Sequence, residues 1–147
     1  MEVLLLALAI LPGILICLFI YRMDKYEKES PAQLYLTFSL GMLITVPVLK
    51  LEEWTYYSGL DVRNEIWLAL FSSFVIVALS EELMKFAALL LYPFRRPFFN
   101  EPIDGIVYSV MIAMGFATLE NILYAYQFGI ETVILRAFTA VPAHAAF

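Results

Sequence analysis

The chain has 147 residues, of which 63% are hydrophobic and 16% are charged. Soluble domains are about 45–50% apolar and about 25% charged, so a soluble fold of this length would leave a large apolar surface uncovered. The net charge of −5 and the lack of a basic cluster exclude a nucleic-acid-binding protein. A single cysteine, Cys17, excludes a disulfide framework and a cysteine-based zinc motif. These properties indicate a protein embedded in lipid.

Five apolar segments predict an all-α, polytopic transmembrane helix bundle that forms one domain over residues 1–147. A membrane-spanning helix needs roughly 20 such residues. The first segment has no basic start and no small-residue cleavage site before Arg22, so we expect a retained span and not a signal peptide. The predicted spans cover approximately residues 3–21, 31–49, 65–92, 103–128 and 131–147.

The connections between these spans predict their orientation. Short loops rich in Lys and Arg stay in the cytoplasm. The first and third connections carry most of these residues, so we expect the N-terminus outside a bacterial inner membrane. Residues 50–61 are polar and aromatic and predict an outer connection. The basic residues of the two predicted cytoplasmic connections are Arg22, Lys25, Lys28, Arg95 and Arg96.

Two adjacent acids, Glu81 and Glu82, lie deep inside the third predicted span. Each costs about 2.5–3.5 kcal/mol at the centre of a membrane, so such residues face the bundle interior or a water-filled cavity. Lys85 follows at the three- and four-residue spacing that allows a pair with either acid across one helical turn. Two interpretations are open here: a catalytic site with a general base, or a buried ion pair that fixes helix packing.

The fourth span combines small residues with two polar ones. Gly105, Ser109, Ala113 and Ala117 recur every four residues, a spacing that predicts close helix packing. Asp104 at its start suits the helix dipole. Near its far end, Glu120 and Asn121 are costly in an apolar helix unless they have partners. They predict either a site or, for Asn121, a hydrogen bond between helices. 

The fifth span contains Arg136 and His144, eight residues apart and therefore on one face of a helix. Pro142 between them predicts a bend. Arg136 either extends to the membrane surface or joins a site. His144 falls within about 10 Å of the membrane midplane, as do the three glutamates. The span is still apolar at Phe147, about 16 residues from its start, so we expect the natural chain to continue.

The same residues match motifs of a known family. Glu81-Glu82-Leu-Met-Lys85 resembles the EExxK motif of the PrsW family of intramembrane proteases, and Phe116-Ala-Thr-Leu-Glu120 resembles its FxxxE motif. The stretch from Arg136 to His144 resembles the start of a third motif, whose last position would be residue 148. Three motifs in order over residues 80–147 are a fairly specific signal. The family is distantly related to the CAAX-processing proteases.

The resemblance implies hydrolysis of a peptide bond in a membrane-anchored protein such as an anti-sigma factor. It assigns Glu81 as general base, Glu82 as its support, Glu120 as a holder of water or metal, and His144 as an oxyanion stabiliser or metal ligand. Zn²⁺ is a candidate cofactor, with Glu82, Glu120 and His144 as candidate ligands, and a metal-free glutamate mechanism stays open. The residues expected to support the site are Lys85, Asn121 and Arg136.

Two other functions fit the buried acids. Intramembrane carboxylates also form proton and cation pathways, so a carrier or channel is the first alternative. The second is a non-catalytic binding or immunity protein, a role found among relatives of the CAAX-processing proteases. In every case the expected partners include membrane lipid.

Overall fold

The computed structural model describes residues 2–25, 27–59 and 65–146, and the regular structure of these residues is entirely helical. This confirms the predicted all-α membrane bundle. Phe147, the last residue of the predicted fifth span, lies outside the described residues. The α-helices are α1 (Glu2–Met23), α2 (Pro31–Tyr57), α3 (Ile66–Phe71), α4 (Leu79–Leu91), α5 (Pro102–Phe128), α6 (Ile130–Phe138) and α7 (Ala140–Ala146).

Three of these helices, α1, α2 and α5, are long and apolar enough to cross a membrane. The predicted third span is a continuous helical run in which a π-helix, Ser72–Ala78, joins α3 to α4. A π-helix adds a residue to the turn and is often found at functional sites. Here it directly precedes the turn that carries the two adjacent glutamates.

The α2 helix is longer than predicted and extends through residues 50–57, which the sequence indicated as a connection. Those residues contain neither glycine nor proline, so nothing in them stops the helix. The chain leaves the helix at Gly59, whose φ of 73° is favourable only for glycine. Residues 60 and 61 of the predicted connection lie outside the described residues.

The predicted fifth span is two short helices, α6 and α7, that meet at Thr139. Pro142 explains the position of this break. Its ring clashes with the carbonyl group four residues earlier, at Phe138, and it has no N–H to donate there. The bend expected from Pro142 is therefore confirmed, and it lies three residues before the proline.

The centre of the bundle is α5, which packs against α1, α2, α4 and α7. Its close contact with α2 depends on two glycines. A Cβ atom on Gly41 would overlap the carbonyl of Ile112, and one on Gly115 would overlap the carbonyl of Phe38. The predicted ladder of small residues lies beside this contact, where Ala113 and Ala117 join the buried core.

Three acids and a tyrosine are buried where the α1–α2 connection meets the start of α5. We call Asp24, Glu29, Asp104 and Tyr108 the connection cluster. Asp104 caps α5 by accepting hydrogen bonds from the backbone N–H groups of residues 100 and 101, both at 2.8 Å. This agrees with the helix-start role expected for it. The Tyr108 hydroxyl donates to Glu29, and burial raises the pKa of Glu29.

Candidate active site

The α4 helix directs its acids to different surroundings. Glu81 and Lys85 are buried, whereas the Glu82 side chain is 42% exposed. Residues four apart share one face of a helix, which explains why Glu81 and Lys85 face the interior together. Ser80, just before them, donates a hydrogen bond from its hydroxyl to the Val77 carbonyl at 2.9 Å, so this hydroxyl is bonded within its own helix.

The amino group of Lys85 contacts both glutamates and the histidine. Its Nζ atom is 2.7 Å from Glu82 Oε1 and 3.3 Å from Glu81 Oε2. It is also 2.9 Å from His144 Nδ1, which α7 brings in from the far end of the chain. The sequence indicated a pair with either acid, and the structure shows contact with both.

Glu120 and Asn121 on α5 are held by Arg136 on α6. Arg136 donates from Nη2 to Glu120 Oε2 at 2.6 Å and from Nε to Asn121 Oδ1 at 2.7 Å. Of the two positions considered for Arg136, the structure places it in the site. Asn121 is completely buried, and its Nδ2 atom has no hydrogen-bond partner among the described residues.

His144 links the two halves of this arrangement. Its Nε2 atom is 3.2 Å from Glu120 Oε2, and its Nδ1 atom faces Lys85. Because a lysine ammonium can only donate, Nδ1 must accept, and the proton of a neutral ring is then on Nε2. We therefore assign the tautomer in which His144 donates from Nε2 to Glu120 and accepts at Nδ1 from the Lys85 ammonium.

Two aromatic side chains complete the site, and their roles were not anticipated from the sequence. The Lys85 ammonium lies 4.6 Å from the ring centre of Phe116, and the Arg136 guanidinium lies 4.0 Å from that of Tyr124. Both are cation–π contacts. The signal was present, because Phe116, Glu120 and Tyr124 are spaced four residues apart and so share one face of α5.

The structure thus brings together the seven residues that the sequence predicted as members or supports of the site. They come from four helices: α4, α5, α6 and α7. The break at Thr139 allows Arg136 and His144 to approach Glu120 from two differently directed helices. The seven residues are Glu81, Glu82, Lys85, Glu120, Asn121, Arg136 and His144.

Three of these residues have the geometry of a metal site. Glu81, Glu82 and His144 each offer a ligand atom, and the three atoms lie within 4.8 Å of one another. This is the one such group within the described ranges. Two carboxylates and an imidazole nitrogen whose lone pair here accepts from Lys85 are donor groups that suit Zn²⁺ and related divalent ions. Glu120, a ligand candidate from the sequence, lies outside the group and is bound by Arg136 and His144.

Two small cavities adjoin the site along α5. A cavity of about 80 Å³ is bordered by Glu82 and Lys85, and one of about 250 Å³ is bordered by His144. Ser109 borders both cavities. Gly105 borders the larger one, and a Cβ atom there would meet only Phe99, at 3.6 Å. The small residues at this end of α5 therefore border open space, unlike the glycines that pack against α2.

Comparison with known proteins extends the resemblance. Protease PrsW of Geobacillus kaustophilus (strain HTA426) is 34% identical over 97% of this chain and 61% of that protein. Protease PrsW of Bacillus subtilis (strain 168) is 33% identical over 92% of this chain and 60% of that protein. Protease PrsW of Clostridioides difficile (strain 630) is 33% identical over 95% and 60%, respectively. The chain therefore spans about three fifths of the length of these relatives.

No solved structure matches the chain. Residues 29–147 match the profile described as PrsW family intramembrane metalloprotease. That range includes the first two motifs, the start of the third and every residue of the site described above. The profile match and the relatives show that this chain belongs to the PrsW family of intramembrane metalloproteases.

Proposed function

We propose that the full-length protein hydrolyses a peptide bond of a membrane-anchored protein, within or at the edge of a bacterial inner membrane. The observation that carries this proposal is the convergence of Glu81, Glu82 and His144 within 4.8 Å inside a helical membrane bundle. Family membership supports the reaction class. A protein with one transmembrane helix, such as an anti-sigma factor, is the proposed substrate, and the N-terminus is proposed to lie outside.

Glu81 is the proposed general base. It is buried, and its Oε2 atom lies 3.3 Å from Lys85 Nζ and 3.8 Å from His144 Nδ1. A base must be within hydrogen-bond reach of the water that it activates. Glu82 borders the smaller cavity and His144 the larger one, so a water molecule that reaches these residues is also close to Glu81.

Glu120 and Arg136 act in this proposal as positioning residues. Glu120 accepts from His144 Nε2, which fixes the ring orientation and tautomer, and Arg136 in turn holds Glu120. A carboxylate–histidine pair of this kind orients imidazole in many hydrolases and metal sites. His144 can then stabilise a developing negative charge on the substrate or act as a ligand.

In a metal-assisted form of the reaction, Glu81, Glu82 and His144 are the residues that would hold a divalent ion such as Zn²⁺, whereas Glu81 acts as the general base in the metal-free form. When bound there, the ion would polarise the substrate carbonyl and favour ionisation of water. The positioning role of Glu120 and Arg136 is the same with or without the ion, because their contacts reach His144 from the opposite side of its ring.

The test is a cleavage assay with full-length protein in liposomes that contain a single-span substrate, performed in H₂¹⁸O. Hydrolysis places ¹⁸O in the new C-terminal carboxylate, which mass spectrometry detects. We expect His144→Ala to lower the rate by about 100-fold or more. Glu131→Gln, at an exposed acid at the start of α6, is the matched control and should retain the rate.

If His144→Ala and Glu81→Gln cleave as fast as the unaltered protein, the proposal is wrong. Carboxylate-dependent proton flux without cleavage would then support the carrier or channel. Partner binding that is unchanged in Glu81→Gln, again without cleavage, would support the non-catalytic binding protein.

A further inference from the structure

The Lys85 amino group lies among the three candidate metal ligands. Its three polar contacts, at 2.7, 2.9 and 3.3 Å, are to Glu82, His144 and Glu81, the three members of the candidate metal site. The amino group therefore contacts every member of the candidate metal site.

Geometry leaves room for only one cation among these ligands. Zn²⁺ binds carboxylate oxygen and imidazole nitrogen at about 2.0–2.2 Å. Three ligand atoms within 4.8 Å of one another can surround one such ion. Lys85 Nζ already lies among them, and two positive charges a few ångströms apart in a poorly solvated site repel strongly. A divalent ion and the ammonium group cannot occupy the site together.

We propose that Lys85 is a built-in competitor for the divalent ion, so that metal binding is an exchange in which the ammonium group leaves the site. This deepens the proposed function, since it concerns the same site, although it does not require that the protein cleave peptides. Lys85 neutralises the acids when no ion is present, and its departure presents three ligands to the ion.

The displaced amino group has a place to go. Lys85 borders the cavity of about 80 Å³, together with Glu82, Phe86 and Leu89 of α4 and with Ser109 and Ala113 of α5. The Ser109 hydroxyl can accept a hydrogen bond there. The long, flexible lysine side chain can therefore exchange one polar environment for another by rotating about its own bonds. Phe116 opposes the exchange, because its ring favours the ammonium in the metal position.

The test is equilibrium dialysis of Zn²⁺ and Co²⁺ against the full-length protein in detergent at one fixed pH. We expect Lys85→Met to bind either ion roughly 10- to 100-fold more tightly than the unaltered protein, the change that the loss of one or two charge-assisted hydrogen bonds produces. Lys50→Met, which removes an exposed lysine from α2, is the matched control and should bind as the unaltered protein does.

Two further variants make the result specific. Glu82→Gln combined with Lys85→Met should lose the gained affinity, which shows that the ion uses this site. Lys85→Arg should bind the ions more weakly than the unaltered protein, because a bulkier, planar cation leaves the site less easily. This variant keeps the buried charge, so it serves as the test if Lys85→Met does not fold.

Equal or weaker metal binding by Lys85→Met, or metal binding by neither protein, would overturn the inference. So would Lys85→Arg binding as tightly as the unaltered protein. Failure of the proposed function gives a different result. A protein that shows the exchange but cleaves no substrate supports the inference about Lys85 and contradicts the proposed protease activity. A protease whose metal affinity does not depend on Lys85 gives the opposite result.

Discussion

The chain buries acids in two places and neutralises them in different ways. In the candidate active site, Glu81 and Glu120 each contact a cation, Lys85 and Arg136, respectively. In the connection cluster, hydrogen bonds to Glu29 and Asp104 come from a hydroxyl and from backbone N–H groups. Neither carboxylate oxygen of Asp24 has a hydrogen-bond partner among the described residues.

In the proposed function, this difference separates the acids of the active site from the acids that organise the fold. A neighbouring lysine or arginine favours the ionised form of a carboxylate, which is the form that a general base requires. The connection cluster lies at the ends of helices, where free backbone N–H groups are available and no cation is needed. There, burial raises the pKa of Glu29, so its proton is held more tightly than that of an exposed glutamate. Variants in each group should therefore show different effects.

The largest effect is expected where a cation is removed from the site. Arg136→Met leaves the buried acid Glu120 without its guanidinium partner, and breaking a buried pair in this way costs about 3–5 kcal/mol. The thermal unfolding midpoint in detergent measures this loss. Arg95→Met, which removes an exposed arginine, is the control and should have little effect. Equal midpoints for the two variants would show that Arg136 does not stabilise the site.

An intermediate effect is expected where a hydrogen bond to an acid is removed from the connection cluster. Tyr108→Phe removes the donor to Glu29 and should cost about 1–2 kcal/mol, between the values for hydrogen bonds to neutral and to charged groups, because the pKa of Glu29 is raised. The same unfolding measurement applies. Tyr126→Phe changes a largely exposed tyrosine on the same helix and is the matched control. A Tyr108→Phe variant with the unfolding midpoint of the unaltered protein would mean that this hydrogen bond contributes little to stability.

The smallest effect, and the one of opposite sign, is expected for Glu29→Gln. Because the folded-state pKa of Glu29 is raised, the folded protein holds this proton more tightly, and its stability falls as pH increases through that pKa. Glutamine cannot ionise, so the variant should gain stability, within about 1 kcal/mol, between roughly pH 4 and neutral pH. Unfolding midpoints across this range test it.

The matched control for this titration is Glu27→Gln, at an exposed acid in the same connection. Its midpoint should follow that of the unaltered protein at every pH. If Glu29→Gln becomes less stable relative to the unaltered protein as pH rises, the assignment of a raised pKa is wrong. It is also wrong if the stability difference between the two proteins does not change with pH.

Hydropathy predicted the helical bundle because lipid imposes length and composition on every spanning segment. Helix ends were harder to predict. The sequence indicated a connection over residues 50–57 from polarity, but only a glycine or proline would have stopped α2 there. The π-helix at Ser72–Ala78 was not predicted, because an extra residue per turn does not change the hydropathy of the segment.

Motifs predicted which residues are in the site, but not which contacts they make. Arg136 was equally compatible with the membrane surface, since sequence does not specify where a long side chain points. Its direction follows from two residues of α5: Asn121 accepts a hydrogen bond from its Nε atom, and the Tyr124 ring lies against its guanidinium group. The contact of Lys85 with His144 could not be predicted from the sequence, because the two residues are 59 positions apart in the chain.

One measurement compares the two groups of acids most directly: cleavage of a single-span substrate in liposomes by the Glu81→Gln and Glu29→Gln forms of the full-length protein. Both changes replace a buried glutamate by its neutral isostere. We expect Glu81→Gln to lose about 100-fold or more of the rate, as removal of a general base does, while Glu29→Gln stays within about twofold because its acid organises the fold. Equal rates for the two variants would contradict the assignment of Glu81 as the base.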